Sequence, residues 1–415
     1  MKIYCANIIH SVNKDELKIY EHSYIVVKDG IVEGIYENLP KEYENIEVID
    51  FGDDLMIPAF TDLHVHAPQY PNRGLAMDKL LSDWLSEYTF PLEAKFKDPS
   101  YAKVVYEAFA KDLLKHGTMH AVIFSTIHSE ASDILVDLLE KNKILSYVGK
   151  VNMDKNSPSY LIESTNDSIK NTDAFIKKHI NNKYAKPILT PRFAPTCSFS
   201  LLEGLGGLSR KYKIGMQTHI VESLWEKEEA KKCNLDCKCD MQIYEKAGMM
   251  NYNPVIAAHF IFPSSLDINI LKKCGGIAVQ CPDATTNVIA GIMRTGYLLD
   301  KGVNIGLGSD IAAGQYLGIY RSISSAIRLS KIKAFYEKKE RSISLNEAFY
   351  MATKATSCVF EKVGSLEKGY YFDALVIGGL SDSYEHLSPS QILERFCYYG
   401  EVENIKHRFL RGEEL

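Results

Sequence analysis

The residues of this chain best suited to chemistry begin with two histidines one position apart, His64 and His66, in Thr61-Asp62-Leu63-His64-Val65-His66. The run before them, Leu55-Met56-Ile57-Pro58-Ala59-Phe60, reads as a short buried strand. Side chains two apart on a strand share a face, so both imidazoles can reach one divalent cation without backbone distortion. Alone, such a pair is weak evidence. Three more residues of ligand type fall at the ends of other apolar runs. His219 closes Ile214-Gly215-Met216-Gln217-Thr218-His219, His259 closes Val255-Ile256-Ala257-Ala258-His259, and Asp310 follows Gly306-Leu307-Gly308-Ser309. Imidazole and carboxylate together suit zinc, and also iron(II) or manganese. Singly, a strand-end histidine is a hydrogen-bonded core residue, and an aspartate after a strand is a turn or N-cap residue. The set carries the signal, not any one member.

Such a set needs elements that bring its members to one place. From about residue 56 to 360, short apolar runs alternate with longer amphipathic stretches, the pattern of repeated βα units. Eight strand candidates occur: the one leading into His64, then 120–124, 145–151, 187–191, 214–219, 255–259, 276–280 and 303–308, with helical stretches such as 99–116, 131–142, 160–181 and 317–338 between them. That count predicts a (β/α)8 TIM-type barrel, whose active sites lie at the C-terminal ends of the strands. The ends of the chain read as β structure: Tyr24–Val27 and Ile31-Val32 around the turn signal Lys28-Asp29-Gly30, Ile46–Ile49, and Phe372–Gly379. The expected organisation is α/β, with residues 57–362 forming the barrel and residues 1–56 and 363–415 forming one small β-sandwich domain.

With 46% hydrophobic and 24% charged residues, the composition is that of a globular protein with a full core. A net charge of −5 argues against nonspecific nucleic-acid binding and against an anionic membrane surface. The N-terminus lacks the apolar core of a signal peptide, and no run reaches the length of a membrane span. Nine cysteines, scattered and odd in number, do not read as a disulfide framework, so the cytosol is the expected compartment.

These residues and their order resemble the amidohydrolase superfamily and, within it, the guanine deaminases. The general pattern is matched by TDLHVH, QTHIVE, AAHF, GLGSD and the closing GSLEKGYYFDALVI. The closer similarity lies in APQY followed by Leu80-Leu81-Ser82-Asp83-Trp84-Leu85-Ser86-Glu87-Tyr88-Thr89-Phe90-Pro91-Leu92-Glu93, and in Pro191-Arg192-Phe193. The resemblance covers essentially the whole chain.

It implies hydrolytic removal of an aromatic amine from a purine base. His64, His66, His219 and Asp310 would hold one divalent metal per chain, zinc with iron as the alternative, and a bound metal lowers the pKa of water from about 15.7 towards 7. His259 would sit beside the water, Asp310 would also take its proton, and Glu222 would shuttle a proton to the ring and to the leaving amine. Gln69, Arg192 and Phe193 match positions that contact the purine, and His219, Glu222 and Asp310 border the same site. A homodimer is also implied. One segment departs from the pattern: Cys281-Pro282 is followed by Asp283-Ala284-Thr285-Thr286-Asn287 where related deaminases carry a Ser-Asn pair, in a loop expected to face the active-site mouth.

Other features point elsewhere or nowhere. Cys233, Cys237 and Cys239 form a dense cluster without a matching ligand pair nearby, so free thiols are expected. Gly204-Leu205-Gly206-Gly207 does not fit a phosphate-binding loop, and the charge run Lys331–Arg341 reads as a solvated helix. Trp84 reads as a core anchor, and His120, which opens a strand, belongs at the rim away from the chemistry. The competing functions are an aminohydrolase of another base (cytosine, an adenine derivative or a triazine), a ring-opening cyclic amidohydrolase, and a noncatalytic relative. The second typically needs a carboxylated lysine ending strand four, and Pro187-Ile188-Leu189-Thr190-Pro191-Arg192 offers none. The third usually lacks the metal ligands, and all are present here.

Overall fold

The computed structural model describes residues 1–233, 236–381 and 386–415; Asn234 and Leu235, within the cysteine-dense stretch, lie outside the described residues. The chain begins with four strands, β1 (Lys2–Ser11), β2 (Leu17–Lys28), β3 (Ile31–Tyr36) and β4 (Val48–Pro58). The β2–β3 hairpin turns at Asp29-Gly30, both at positive φ (50° and 77°), the backbone twist that suits a two-residue turn between right-twisted strands. No sequence signal singled out β1, although nearly all of it is buried.

The central region supplies β5 (Phe60–His66), β6 (Thr118–Phe124), β7 (Leu145–Gly149), β8 (Val151–Asn152), β9 (Ala185–Pro187), β10 (Thr190–Pro191), β11 (Met216–Ile220), β12 (Val255–His259), β13 (Ile277–Gln280) and β14 (Asn304–Leu307). All their mutual pairings are parallel. Long helices connect them, among them Pro99–Lys115, Ser129–Lys141, Thr165–His179, Phe199–Tyr212 and Ile319–Tyr336. Serine or aspartate caps start several: the side chains of Asp98, Ser164 and Ser198 accept N–H groups of the first turn. Parallel strands covered by helices are buried on both faces, and β5, β6 and β12 are buried at every residue.

Among the described residues, strand pairing gives two four-stranded parallel sheets, β5-β6-β7-β9 and β11-β12-β13-β14, with β8 and β10 paired separately. A bridge between Leu189 and Met216 joins the halves at one seam. At the other seam the segment after β14 lies along β5: Asp310 N–H donates to His64 O at 2.8 Å, and His66 N–H donates to Ile311 O at 3.1 Å. The ladders therefore do not close into one continuous ring of strands.

The chain ends with β15 (Ala374–Ile377), β16 (Ile405–Leu410) and β17 (Glu413–Glu414). They extend the N-terminal strands into one sheet in the order β17-β16-β15-β4-β1-β2-β3. Where a sandwich was expected, the two termini join edge to edge, because β4 pairs with β1 in parallel on one side and with β15 antiparallel on the other. Leu55–Pro58 thus belongs to this sheet and not to the strand that carries the histidines. Pro58 has no N–H to continue a ladder, and Ala59 N–H donates to Asp373 O as the chain crosses into β5. A buried network pins the two parts together: His120 Nε2 lies 2.9 Å from Asp373 Oδ2, and its Nδ1 lies 3.2 Å from Thr61 Oγ1. No helix among the described residues is long and apolar enough to cross a membrane.

Candidate active site

Period-two geometry places His64 and His66 at the C-terminal end of β5 with both rings on one side. His219 stands near the end of β11, His259 ends β12, and Asp310 follows β14. Their ligand atoms converge. His66 Nε2 is 3.1 Å from His219 Nε2, and Asp310 Oδ1 is 3.2 Å from His64 Nε2 and 3.5 Å from His66 Nε2. Asp310 Oδ2 is 3.9 Å from His259 Nε2. His64, His66 and His219 form one group able to hold a metal ion, and His64, His259 and Asp310 form another that shares His64.

The hydrogen bonds behind these rings decide which nitrogen faces inward. His219 Nδ1–H donates to the carbonyl of Arg192 at 2.6 Å, which leaves Nε2 as a bare lone pair aimed at His66. Neither ring nitrogen of His64, nor Nδ1 of His259, has a hydrogen-bond partner although all are buried. Burial, together with the neighbouring imidazoles, holds His66 and His219 well below the usual histidine range, and burial pulls His259 down to about 3. Buried imidazoles with unpaired nitrogens, crowded with one carboxylate, are a donor set that fits a divalent cation.

The backbone here is locally strained. Val221, His259, Phe260 and Asp310 all have φ between 47° and 69°, where side chains other than glycine cost about 1–3 kcal/mol each. Asp62 holds part of this arrangement. Its Oδ1 accepts the N–H groups of His64 at 3.1 Å and Ser309 at 3.0 Å, and its Oδ2 accepts the Ser309 hydroxyl. One buried carboxylate thereby locks the His64 segment to the turn that presents Asp310.

Above the cluster lies a pocket. His66, His219 and Asp310 reach its floor, and Gln69, Arg192, Phe193 and Glu222 line it, while His64 and His259 lie beneath. Gln69 sits in the 3-10 turn Ala67–Asn72 directly after β5, and Arg192 and Phe193 directly after β10. Glu222 Oε1 is 3.7 Å from His259 Nε2, and burial, then the charges of Asp310 and Glu226, push its carboxyl well above the usual range. A carboxyl whose hold on its proton is strengthened in this way can act as an acid beside the cluster.

Four residues of the site carried no role in the sequence reading. Glu226, 3% exposed, accepts the N–H groups of Val221 at 3.1 Å and Glu222 at 2.7 Å, bracing the strained turn beneath Glu222. Glu93 accepts from both Arg192 and Gln69. Asp62 locks the floor as described. Trp225 lines the pocket from its outer side, 58% exposed, with its ring centroid 6.4 Å from that of Phe193. Glu93 and Asp62 stand inside the motifs that carried the resemblance, the one available signal. Trp84 is both anchor and wall: its indole N–H donates to Leu75 O at 3.2 Å and the side chain faces the pocket.

The segment Asp283–Asn287 does not face the mouth. It forms the helix Pro282–Asn287, which turns Asp283 outward to accept the Ser325 hydroxyl at 2.8 Å, and none of its residues lines the pocket. Only Asn287 approaches the rim, donating to Ala313 O at 2.8 Å. The cysteines of the dense stretch are free thiols, and among the described residues no metal-holding group includes them. A larger cleft of about 700 Å³ opens at the opposite rim, beside Leu145, Lys186 and Arg411, away from every residue of the cluster.

A family model described as "Amidohydrolase family" matches residues 55–414. The guanine deaminase of Dictyostelium discoideum is 30% identical across 100% of this chain and 98% of its own. That of Rattus norvegicus is 32% identical across 87% of this chain and 83% of its own. The crystal structure of guanine deaminase from C. acetobutylicum with bound guanine in the active site superposes with a TM-score of 0.96 at 42% identity, covering 100% of this chain and 99% of that one.

Proposed function

The chain belongs to the amidohydrolase family, and from that premise we propose that it hydrolyses guanine to xanthine and ammonia. The observation that carries the reading is the convergence of four imidazoles and Asp310 on one point, with Glu222 beside them and Gln69 and Arg192 on the adjoining wall. His64, His66, His219 and Asp310 would hold one divalent metal, zinc in our proposal, which when bound makes water acidic enough to attack at neutral pH.

The chain's own groups do the rest. Arg192, a donor-only side chain, binds the carbonyl O6 of the base, and Phe193 covers a ring face. Gln69 reads a second edge. This pose sets C2 over the cluster. Asp310 accepts a proton from the attacking water, and His259, beside Asp310, steadies the water's oxygen. Glu222 gives its proton to the ring nitrogen next to C2, then carries a proton to the amine that leaves as ammonia. Trp84, Trp225 and Phe193 exclude bulk water from the reacting carbon.

The proposal includes a (β/α)8 barrel arrangement of the central strands, with its ladders interrupted between the two sheets, a cytosolic location, which nine free thiols support, and a homodimer. Steady-state kinetics with guanine, adenine, cytosine and isoguanine test the substrate. Adenine places an amino donor where guanine has O6, and a site built on such a hydrogen bond rejects the mismatch by about 10⁴–10⁵. A kcat/KM for adenine or cytosine above that for guanine would overturn the substrate and leave the aminohydrolase chemistry standing.

A further inference from the structure

Two side chains of the pocket wall share one carboxylate behind it. Glu93 Oε2 accepts from Arg192 Nη1 at 2.7 Å, and Oε1 accepts from Arg192 Nη2 at 3.2 Å and from Gln69 Nε2 at 2.9 Å. Gln69 Oε1 accepts the N–H of Ala312 at 3.3 Å. Glu93, Gln69 and Arg192 are between 3% and 6% exposed. Gln69 and Arg192 line the pocket, whereas Glu93 does not.

We infer that Glu93 is a specificity-determining positioning residue, fixing which hydrogen-bonding polarity Gln69 and Arg192 present to the bound base. The inference rests on the guanine reading of the pocket. A carboxylate only accepts, so each neighbour must turn donors towards it. A glutamine amide can face either way with almost no change of shape, and without a constraint it would offer the pocket a donor or an acceptor alike. Here Nε2 is committed to Glu93 and Oε1 to the Ala312 N–H, so a flip would oppose two donors on one side and two acceptors on the other.

The fork of Arg192 is spent pairwise on the same carboxylate, and its remaining N–H groups are free for the pocket. Pairing with Glu93 also neutralises the guanidinium, so the wall offers hydrogen bonds to an uncharged base and not a bare cation to an anion. The wall is therefore donor-rich by construction. Guanine meets it with acceptors at O6 and N7, and a 6-amino purine meets it with a donor. Glu93 touches neither base nor reacting atoms. It acts through the two residues that do.

The test is Glu93→Gln, which keeps shape and replaces one acceptor oxygen by a donor amide. Its kinetics are measured with guanine and with 2-aminopurine, which keeps the reacting amine and lacks O6. Where 2-aminopurine turnover is too slow, competitive inhibition gives its affinity. The expected result is a loss of kcat/KM for guanine of about 10–150-fold, carried mainly by KM, as when charge-assisted hydrogen bonds are removed. 2-Aminopurine, which keeps N7 but not O6, loses less than guanine by at least about fivefold, the share carried by the missing O6 hydrogen bond, with metal content unchanged.

Glu93→Asp provides a second reading that does not depend on Glu93→Gln folding. It remains an acceptor but is one methylene too short to reach both partners, so guanine again loses selectively. Equal losses for both bases in either folded variant, or unchanged guanine kinetics, would overturn the inference. A wild-type protein that ignores guanine would instead overturn the reading of the pocket on which it stands.

Discussion

His219 donates its Nδ1–H to the main-chain carbonyl of Arg192 at 2.6 Å, so one residue serves two purposes. The side chain of Arg192 belongs to the wall of the pocket. Its carbonyl orients an imidazole of the floor. Substitutions at Arg192 should therefore separate the two. Arg192→Lys keeps the carbonyl and a charge for Glu93 but loses the bidentate fork. Metal content should stay at one ion per chain while kcat/KM for guanine falls about 10²-fold, as for lost charge-assisted hydrogen bonds. Loss of metal in elemental analysis would show that the side chain, not the main chain, holds His219.

His66→Ala or Asp310→Ala should abolish metal binding and turnover together. Each removes a proposed ligand from the floor, where the donor atoms stand 3.1–3.5 Å apart. Metal analysis of wild-type protein should give one ion per chain, and chelation followed by zinc addition should remove and restore activity. Two ions per chain, or full activity with none, would contradict the single-site assignment.

Glu222→Gln should behave differently. Glu222 is 3.7 Å from His259 but outside both metal-holding groups, so the ion should remain. Turnover should fall by about 10²–10⁴, the usual contribution of a positioned acid–base group. Normal kcat in a metal-replete variant would assign the proton transfers to another residue.

Thr61, His120 and Asp373 have the connectivity of a nucleophile, base and acid, yet all three are essentially unexposed and serve as a staple between the terminal sheet and the central strands. Burial alone would raise the Asp373 carboxyl, but His120 and Arg411 hold it below its ordinary 3.8. A depressed carboxyl gives stability that is fully present above its unfolded pKa and lost as pH falls through the folded one. Denaturant unfolding should show this contribution from neutral pH down to about pH 4 and its loss below that. His120→Ala should cost about 3–5 kcal/mol at pH 7, as for one partner removed from a buried pair, and should leave a less acid-dependent unfolding curve. A change below 1 kcal/mol would exclude the staple.

Asp283→Ser restores a small hydroxyl in the segment that departs from the deaminase pattern. Because Asp283 points to Ser325 and away from the pocket, kcat/KM for guanine should change by less than about threefold. A large change in base preference would place this segment in contact with the substrate.

The sequence by itself determined the floor of the site. His64, His66, His219, His259 and Asp310 are legible because each ends a short apolar run, and strands with a period of two, connected in parallel, deliver their C-terminal ends to one rim. Long helices were legible for the same reason of periodicity: the stretch expected over 317–338 is the helix Ile319–Tyr336. What crosses between elements was not. Nothing local to Leu55–Pro58 tells that it pairs with β1 and β15 in a single terminal sheet, since an apolar run fits either neighbour. Nothing local to Asp283 says which way a short helix turns its carboxylate. Glu93 reaches Arg192 across 99 positions and Gln69 across 24, and Glu226 braces Glu222 only once the turn at Val221 has formed. Side-chain type and spacing decide which groups can do chemistry at the rim. Tertiary packing decides which buried acceptor each donor faces, because hydrogen bonding between distant segments has no period along the chain.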